Sequence, residues 1–378
     1  MTVYFDNAAT TRVRPEAAEL MVRLMCEDYG NPSSTHGLGR AAAAELSAAR
    51  KKVASALGCG EGEVFFTSGG TESDNWAILG GVYNMRHRGR HIISSAAEHD
   101  AVRRPLERLR DQGYEITFLA PDRAGRITAE AVEAALRPDT VLVSLMLVNN
   151  ETGAVSPIRE IADTLKRAKS EALLHTDAVQ GFLKVPFSAR TLGADMISVS
   201  AHKIHGPKGT GALYIKTGLK LPPFHMGGSQ EKGLRAGTEA LPAIAAFGEC
   251  ARLGAEEFRE ATENMRRVRD RVRLRLTSAL PETVFIGEGD APHILSLSLP
   301  GYKSEVLMNL LDSEGICVSK SSACKKGARS HVLEAMGLGN KVIDGAIRAS
   351  FSRYSTLEEA DYFADRLTQA AKRLVKAL

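Results

Sequence analysis

A lysine and two histidines follow a strongly apolar stretch in SVSAHKIHGPKGTG, residues 198–211. Residues 196–199 predict a buried strand, and Ser200, His202 and Lys203 come directly after it. Ligands bind at the carboxyl ends of strands in open α/β sheets. A lysine amine becomes a nucleophile when burial or neighbouring cations lower its pKa. The stretch therefore predicts a ligand site centred on Lys203, with a solvated turn as the alternative.

A second candidate is the glycine pair in FTSGGTESDN, where a predicted strand ends at Thr67. Gly69 and Gly70 are followed by Thr71, which opens a predicted helix. The free N–H groups and the positive end of the helix dipole can bind an anion there. A capped helix that happens to follow glycines is the alternative.

A third candidate is HTDAVQ, in which Asp177 ends an apolar strand and Gln180 follows three residues later. A buried carboxylate needs a partner, because an isolated buried charge is very unfavourable. A protonated ring nitrogen or an arginine could supply that partner. An anion cradle, a carboxylate and an amine, each at a strand end, together match the phosphate, ring nitrogen and aldehyde of pyridoxal phosphate.

The last candidate is Cys324 in VSKSSACKKGARS, a polar stretch in which Lys320, Lys325 and Lys326 flank the thiol. Neighbouring cations favour the reactive thiolate, although the residue could also be an incidental cysteine beside a solvated charge cluster. The chain has five cysteines and no CxxC pair, which argues against a disulfide framework and against structural zinc. We therefore expect most of the others, Cys317 included, to be small buried hydrophobic residues.

Alternating strands and helices must position these residues. Short apolar runs that predict strands lie at 64–67, 91–94, 115–120, 141–148, 172–177, 196–200 and 212–216. Helical patterns separate them, which predicts an α/β fold with a mostly parallel sheet. After Pro242 one long helical stretch to about residue 280 leads to further strands near 293–299 and 346–352, and a final helix from about Leu357. This pattern predicts a smaller α+β domain.

The composition fits a protein without a membrane anchor. The chain has 378 residues, 44% hydrophobic and 25% charged, with a net charge of +4. That length favours two domains, and the mild charge argues for neither nucleic acid nor membrane as a partner. No apolar run is long enough to span a bilayer, and the first residues lack the pattern of a signal peptide. We therefore expect a cytoplasmic protein.

The motifs resemble those of a known family. The blocks, in chain order, are YFDNAATT, YGNPSSTHGLGR, FTSGGTESDN, EHDAV, NNETG, HTDAVQ, SAHKIHGPKGTG, GGSQEKGLRAGTE and SSAC. They are similar to those of pyridoxal-phosphate-dependent cysteine desulfurases of the NifS/IscS type, in the class V aminotransferase group. The resemblance implies fold type I, with a large domain at residues 13–245 that carries a mostly parallel seven-stranded sheet. The smaller α+β domain would comprise residues 1–12 and 246–378.

The resemblance also implies roles around the cofactor. Lys203 would bind its aldehyde as a Schiff base, Asp177 would hold its ring nitrogen protonated, and Gln180 would bond its ring hydroxyl. His99 would stack on the ring and move protons. The phosphate would be bound by Gly70, Thr71, Ser200 and His202.

Further implied roles concern the substrate and a second subunit. Thr238 would reach the phosphate of the partner subunit's cofactor, so a homodimer is expected. Asn150, also beside the cofactor, and Arg348 would hold the substrate carboxylate, for which a guanidinium is well shaped. Asn31 is expected to help bind the substrate, and His36 to lie near the entrance with a less defined role.

The implied reaction converts L-cysteine to L-alanine and leaves the sulfur on Cys324 as a persulfide, carried by a mobile loop. The lysines around Cys324 could lower its pKa, dock an acidic acceptor protein, or be merely solvated. The chain stops soon after its last predicted helix, which favours an acceptor such as a tRNA-thiolation enzyme over an iron–sulfur scaffold. A selenocysteine lyase or another class V lyase or aminotransferase is the alternative enzyme, and a catalytically silent sulfur-relay partner is the alternative outside enzymes.

Overall fold

The computed structural model describes residues 2–320 and 329–374. In chain order its strands are β1 (Val3–Tyr4), β2 (Val64–Thr67), β3 (His91–Ser95), β4 (Glu115–Leu119), β5 (Thr140–Ser144), β6 (Leu173–Asp177), β7 (Met196–Ser200), β8 (Gly211–Ile215), β9 (Val284–Ile286), β10 (Ile294–Ser298), β11 (Ile316–Cys317), β12 (Ser319–Lys320) and β13 (Ala346–Ser350). Its helices are α1 (Pro15–Cys26), α2 (Gly37–Leu57), α3 (Gly70–Met85), α4 (Asp100–Asp111), α5 (Ala129–Ala135), α6 (Ile158–Arg167), α7 (Ala189–Leu192), α8 (Leu241–Glu256), α9 (Phe258–Ala279), α10 (Ser304–Ser313), α11 (His331–Ala335), α12 (Asn340–Asp344) and α13 (Leu357–Arg373).

Seven strands of the described residues form the large sheet, in the order β2-β8-β7-β6-β5-β3-β4. Strand β8 runs antiparallel to both of its neighbours, and the other pairs are parallel. The two faces of the sheet carry separate apolar clusters: Met196 packs with Trp76 of α3, and the next residue, Ile197, packs with Phe247 of α8. Both faces are thus covered, which explains the continuously apolar strands. The predicted mostly parallel seven-stranded sheet is confirmed.

A smaller antiparallel sheet forms from β12, β13, β10 and β9, in that order, within the part of the chain that the structure describes. Helices α9 and α13 cover it, and Val272, Leu297 and Phe363 belong to its apolar cluster. Strand β1 pairs with β11 in parallel, so the first residues lie with the later part of the chain. The predicted α+β unit is therefore present, while the domain boundaries at residues 12/13 and 245/246 stay a prediction.

The expectation of one long helix after Pro242 is wrong. The stretch forms two helices, α8 and α9, that meet at Glu257. Glu257 has φ −95° and ψ 6°, outside helical geometry. Its carboxylate pairs with Arg14 and with Arg353. These partners are distant in sequence, so the local helical pattern gave no sign of the break.

The cysteines are less buried than expected. Cys250 is buried, Cys59 and Cys317 are half-buried, and Cys26 is exposed. The prediction that Cys317 belongs to the core is wrong, because it ends a two-residue strand that pairs only with β1 at Tyr4.

The N-terminal segment lies across the turn that carries Lys203. The Thr11 hydroxyl donates to the carbonyl of His202 at 2.9 Å and accepts from the backbone N–H of His205 at 2.8 Å. The backbone N–H of Ala8 donates to the Ser350 hydroxyl at 2.8 Å. The segment thus ties the turn after β7 to strand β13 of the smaller sheet.

As for membranes, none of the helices in the described ranges combines the length and the apolarity that a bilayer crossing needs.

The segment that contains Thr238 is anchored by one buried carboxylate. Glu231 accepts from two guanidinium nitrogens of Arg50, at 2.8 and 2.6 Å, and from the backbone N–H of Phe66 at 2.9 Å. Because Phe66 belongs to β2, this carboxylate fixes the segment to the edge of the large sheet.

We expect Glu231→Ala to lower the free energy of unfolding by about 3 kcal/mol, because Arg50 loses its ionic partner and keeps only its bond to the Val64 carbonyl, while the buried N–H of Phe66 is left unpaired. The control is Glu115→Ala, which removes an exposed partner of Arg137 and should cost about 1 kcal/mol or less. Urea denaturation of both variants provides the measurement. Equal losses in the two variants would contradict the anchoring role.

Candidate active site

Lys203 lies on the short helical turn Ala201–Lys203 that follows β7. Its Nζ donates to the carbonyl oxygens of Ala8 and Ala9, at 2.6 Å each. Burial, reinforced by the cations Arg348 and Lys184, lowers the pKa of the Lys203 amine to about 7. A substantial fraction of the amine is therefore unprotonated at neutral pH, as a nucleophile requires.

Asp177 ends β6 beside this turn and is buried. Its Oδ1 accepts from the backbone N–H of Val179 at 2.9 Å, but no lysine or arginine of the described residues forms an ion pair with it. Burial, with a contribution from Asp74, raises the pKa of Asp177 to about 7. The Asp–Arg pair that the sequence left open is not formed there, so the carboxyl group can accept a cationic ligand.

The predicted anion cradle begins at Gly69, which has φ 150°, a conformation that favours glycine. Helix α3 starts at the next residue, Gly70. A Cβ on Gly70 would come within 2.7 Å of Val179 Cγ2 and 3.9 Å of Ser200 Cβ. The helix start therefore lies directly against the ends of β6 and β7, where only glycine allows so close an approach.

His99 and His202 are both held by their δ nitrogens. His99 Nδ1 accepts from the backbone N–H of Ala101 at 3.1 Å and so caps α4, which leaves the proton of the neutral ring on Nε2. His202 Nδ1 lies 3.2 Å from the Thr10 hydroxyl. Burial lowers the pKa of His202 to about 4, so this ring is neutral near pH 7.

Gln180 is oriented by contacts at both ends of its amide. Its Nε2 donates to the carbonyl of Ala8 at 2.8 Å, and its Oε1 lies 3.4 Å from His293 Nε2. The Ala8 carbonyl therefore accepts from Gln180 and from Lys203 together.

Arg348 is buried in β13, with two of its nitrogens engaged. Nη1 donates to the carbonyl of Asn150 at 2.7 Å, and Nη2 donates to Asp6 Oδ1 at 3.0 Å. Its Nε is buried without a hydrogen-bond partner. The guanidinium also lines the cavity described below, and its fixed positive charge suits a carboxylate ligand.

These groups line one cavity of about 670 Å³. The predicted site residues among its walls are Gly70, Thr71, His99, Asn150, Asp177, Gln180, His202, Lys203 and Arg348. The sequence-distant motifs are thus brought together as expected. A cavity of this size accommodates a cofactor and a small substrate.

Other predicted site residues do not line this cavity. Ser200 is buried behind Gly69. Asn31 and Thr238 are exposed, and Asn31 Oδ1 accepts from the backbone N–H of Ser33. His36, also exposed, caps α2.

Cys324, Lys325 and Lys326 lie outside the described residues. Lys320, the last described residue before them, places its Nζ 3.2 Å from Glu305 Oε1.

Sequence reasoning missed several groups in the cavity. The carbonyls of Ala8 and Ala9 gave no signal, because any residue type supplies a carbonyl. Asp74 lies three residues after Thr71, on the same face of α3, and Glu98 directly precedes His99. A helical-face analysis of the motif TESDN could have found Asp74.

Comparison with known proteins identifies the family. Residues 3–363 match the family described as aminotransferase class-V. A protein named cysteine desulfurase IscS from Methanosarcina thermophila is 40% identical over 98% of this chain and 92% of its own length. The chain belongs to the cysteine desulfurases of the class-V aminotransferase family.

Two solved structures of this family are similar in fold. One, titled NifS-like protein, superposes with a TM-score of 0.94 at 38% identity and covers 99% of this chain and all of its own. Another, titled SspA in complex with cysteine, gives a TM-score of 0.81 at 32% identity over 94% of this chain and all of its own.

Cysteine desulfurases of this family depend on pyridoxal phosphate, and the cavity fits that cofactor. A partly unprotonated amine, a buried carboxyl group without a cationic partner and a glycine-lined helix start face one space. These groups match the aldehyde, the ring nitrogen and the phosphate.

We expect the cofactor-free chain to take up pyridoxal phosphate at a rate that rises with pH around a midpoint of about 7. Because the pKa of the Lys203 amine is lowered to about 7, the reactive free amine already predominates above pH 7. An unperturbed lysine would reach this state only above about pH 10. Stopped-flow absorbance of the bound cofactor across this range is the measurement, with Lys203→Ala as the control that abolishes the signal. A midpoint near 10 would contradict the desolvated amine.

Proposed function

We propose that this chain is a homodimeric enzyme that converts L-cysteine to L-alanine and passes the sulfur to Cys324 as a persulfide. The observation that carries the proposal is the cavity that Lys203 and Arg348 line together. One group suits an aldehyde cofactor and the other suits the carboxylate of an amino acid.

Substrate binding depends on Arg348 and its supports. The Asn150 carbonyl and Asp6 hold two of its nitrogens, so its plane is fixed before a substrate arrives, and less ordering entropy is lost on binding. The related structure titled as a complex with cysteine supports cysteine as the amino acid.

When bound, pyridoxal phosphate supplies an electron sink for the α-carbon of an attached amino acid. Asp177 would hold a proton on the ring nitrogen, and its burial, without an ion pair to a lysine or arginine of the described residues, would strengthen that contact. Lys203 Nζ would take the α-proton, since its pKa near 7 suits a base at neutral pH. His99 Nε2, which carries the proton of the neutral ring, would move protons at the face of the cofactor.

The sulfur step requires a second thiol. The Cys324 thiolate would attack the sulfur of the bound cysteine, so that an S–S bond forms and the Cβ–S bond breaks with its electron pair left on the carbon fragment. Protonation of that fragment gives alanine. Cysteine and one enzyme thiol thus become alanine and one persulfide, with no external oxidant.

We expect Cys324→Ser to lower alanine formation from cysteine by about 100-fold or more while the absorbance of the bound cofactor stays unchanged. Cys26→Ser, which removes an exposed thiol elsewhere, is the matched control and should retain full activity. Alanine is quantified by chromatography, and the persulfide by mass spectrometry after labelled cysteine is added. A Cys324→Ser enzyme with undiminished alanine formation would instead favour a selenocysteine lyase or another class V lyase.

A homodimer would complete the site. Thr238 is exposed and does not line its own cavity, which leaves it available to the cofactor of a partner subunit. Large apolar side chains are also exposed, among them Met25, Tyr29 and Met226. Exposed apolar residues of this size are typical of surfaces that bind another protein.

Mixed dimers test the shared site. Lys203→Ala inactivates its own subunit, and Thr238→Asp would repel the phosphate in the partner's site. A heterodimer of the two variants should regain about half of the wild-type activity, because one site then has both intact residues. The control heterodimer of Lys203→Ala with Arg348→Ala should stay inactive, since both residues act within one subunit. Failure of the first pair to recover activity would contradict the trans role of Thr238.

The sulfur would pass to an acceptor protein in the cytoplasm, either in iron–sulfur assembly or in tRNA thiolation. Lys320, Lys325 and Lys326 flank Cys324 and would attract an acidic surface on that acceptor. The same charges would favour the thiolate form of Cys324.

A further inference from the structure

A row of buried polar side chains crosses the face of the large sheet beneath α3. The Ser94 hydroxyl donates to the carbonyl of Ser144 at 2.8 Å, and the Ser144 hydroxyl lies 2.9 Å from His175 Nδ1. His175 Nε2 lies 3.0 Å from the Ser198 hydroxyl and 3.5 Å from Asp74 Oδ1. We call these five residues the polar ladder.

The strand register explains how the ladder forms. Ser94 of β3, Ser144 of β5 and His175 of β6 are direct neighbours across the sheet. Ser198 of β7 pairs with Asp177, so the ladder ends beside the carboxyl group assigned to the ring nitrogen. Every member is at most 1% exposed. A polar row inside an apolar core is unfavourable unless its groups are paired and serve a specific arrangement.

Asp74 is the end of the ladder that reaches the cavity. It lines the cavity together with Asp177 and Glu98, and its Oδ1 is buried without a hydrogen bond. Glu98 is fully buried too, with Oε1 accepting from the backbone N–H of Met146 and Oε2 unpaired. In the described ranges, no lysine or arginine pairs with any of these three carboxyl groups.

Ionising all three carboxyl groups would be strongly unfavourable, because none of them forms an ion pair with a lysine or arginine of the described residues. The other titratable groups that act on Asp177 are His99, His175 and Lys203. Burial lowers the pKa of His175 to about 4, so this ring is neutral and offers no counter-charge. Burial raises the pKa of Asp74 to about 7, although its contact with Ser198 lowers it, and burial raises the pKa of Glu98 well above its usual value.

We propose that Asp74, buried at the end of the polar ladder and clustered with Asp177 and Glu98, is an uncharged, protonated positioning residue, so that Asp177 carries the negative charge that faces the ring nitrogen. Asp177 is the member of the group whose charge a cationic ring can balance, because it ends its strand at the cavity. Because Asp74 is then uncharged, Asp177 is the charged member of this pair of carboxyl groups beside the ring. The inference rests on the proposed function, since it assigns a neighbour to the cofactor-binding carboxylate.

Infrared spectroscopy tests the protonation of Asp74 directly. A protonated carboxyl group has a carbonyl stretch that an ionised one lacks. In the holoenzyme at about pH 6, where an unperturbed aspartate is still ionised but a carboxyl group with a pKa of about 7 is mostly protonated, Asp74→Asn should remove one such band. Asp177→Asn should remove none, and Glu98→Gln should remove a second. Retention of every band in Asp74→Asn would overturn the proposal, because Asp74 would then be ionised.

Cofactor affinity gives an independent readout. Asp74→Asn replaces a neutral group by a neutral group, so the Kd of pyridoxal phosphate should change by about threefold or less, whereas Asp177→Asn should weaken binding about tenfold or more. A loss in Asp74→Asn as large as that in Asp177→Asn would show that Asp74 acts as an anion. Should wild-type chain bind no pyridoxal phosphate, the proposed function would fail, while the infrared spectra of the cofactor-free chain would still report on Asp74.

The ladder itself is tested at His175. His175→Phe removes both ring nitrogens and should shift the Asp74 carbonyl band, while Ser94→Ala, at the far end, should leave it in place. His175→Gln, which keeps a donor and an acceptor, serves if the phenylalanine variant does not fold. An unshifted band in both His175 variants would show that the ladder does not act on Asp74.

Discussion

The desolvated amine of Lys203 is the constraint on which the rest of the site depends. The free base is needed for reaction with an aldehyde, and burial together with nearby cations favours it at neutral pH. The same burial would leave the amine without acceptors, and the Ala8 and Ala9 carbonyls supply them. Because Lys203 stands on a turn at the end of a central strand, its position is fixed by the core of the large sheet. The position of the Lys203 amine therefore depends on the packing of β7 between two layers of helices.

Charge balance around the amine follows from the same burial. Lys203 and Arg348 line the cavity together with the carboxyl groups of Asp177, Asp74 and Glu98. Asp6 pairs with Arg348 and accepts from the Ser319 hydroxyl at 2.5 Å. In a region of low dielectric these charges interact strongly, so the protonation of each depends on its neighbours and on the ligand.

Local signals in the amino-acid sequence predicted the sheet and part of the cavity lining. Apolar runs located the strands, and strand ends located Asp177 and Lys203, whereas His99, Asn150 and Arg348 were named only through the family resemblance. The break at Glu257 was missed, since its causes, Arg14 and Arg353, lie far away along the chain. The carbonyls of Ala8 and Ala9 were missed because every residue type has a backbone carbonyl, so the sequence does not indicate which ones will accept a hydrogen bond from Lys203. Asp74 and Glu98 were missed because a carboxyl group on a helix or loop is usually solvated, and only the tertiary fold shows that these two are buried.

The contact between Ala8 and Ser350 has a consequence for how the enzyme is made. It joins residues 342 positions apart in the chain, while the strands of the large sheet are complete once β8 has formed at Ile215. During synthesis on the ribosome, the large sheet can form long before β13 has emerged from the exit tunnel. Until then the residues that cradle the Lys203 amine lack their attachment to Ser350. The amine therefore reaches its final surroundings late in biogenesis, only after the last strand of the described residues has been translated.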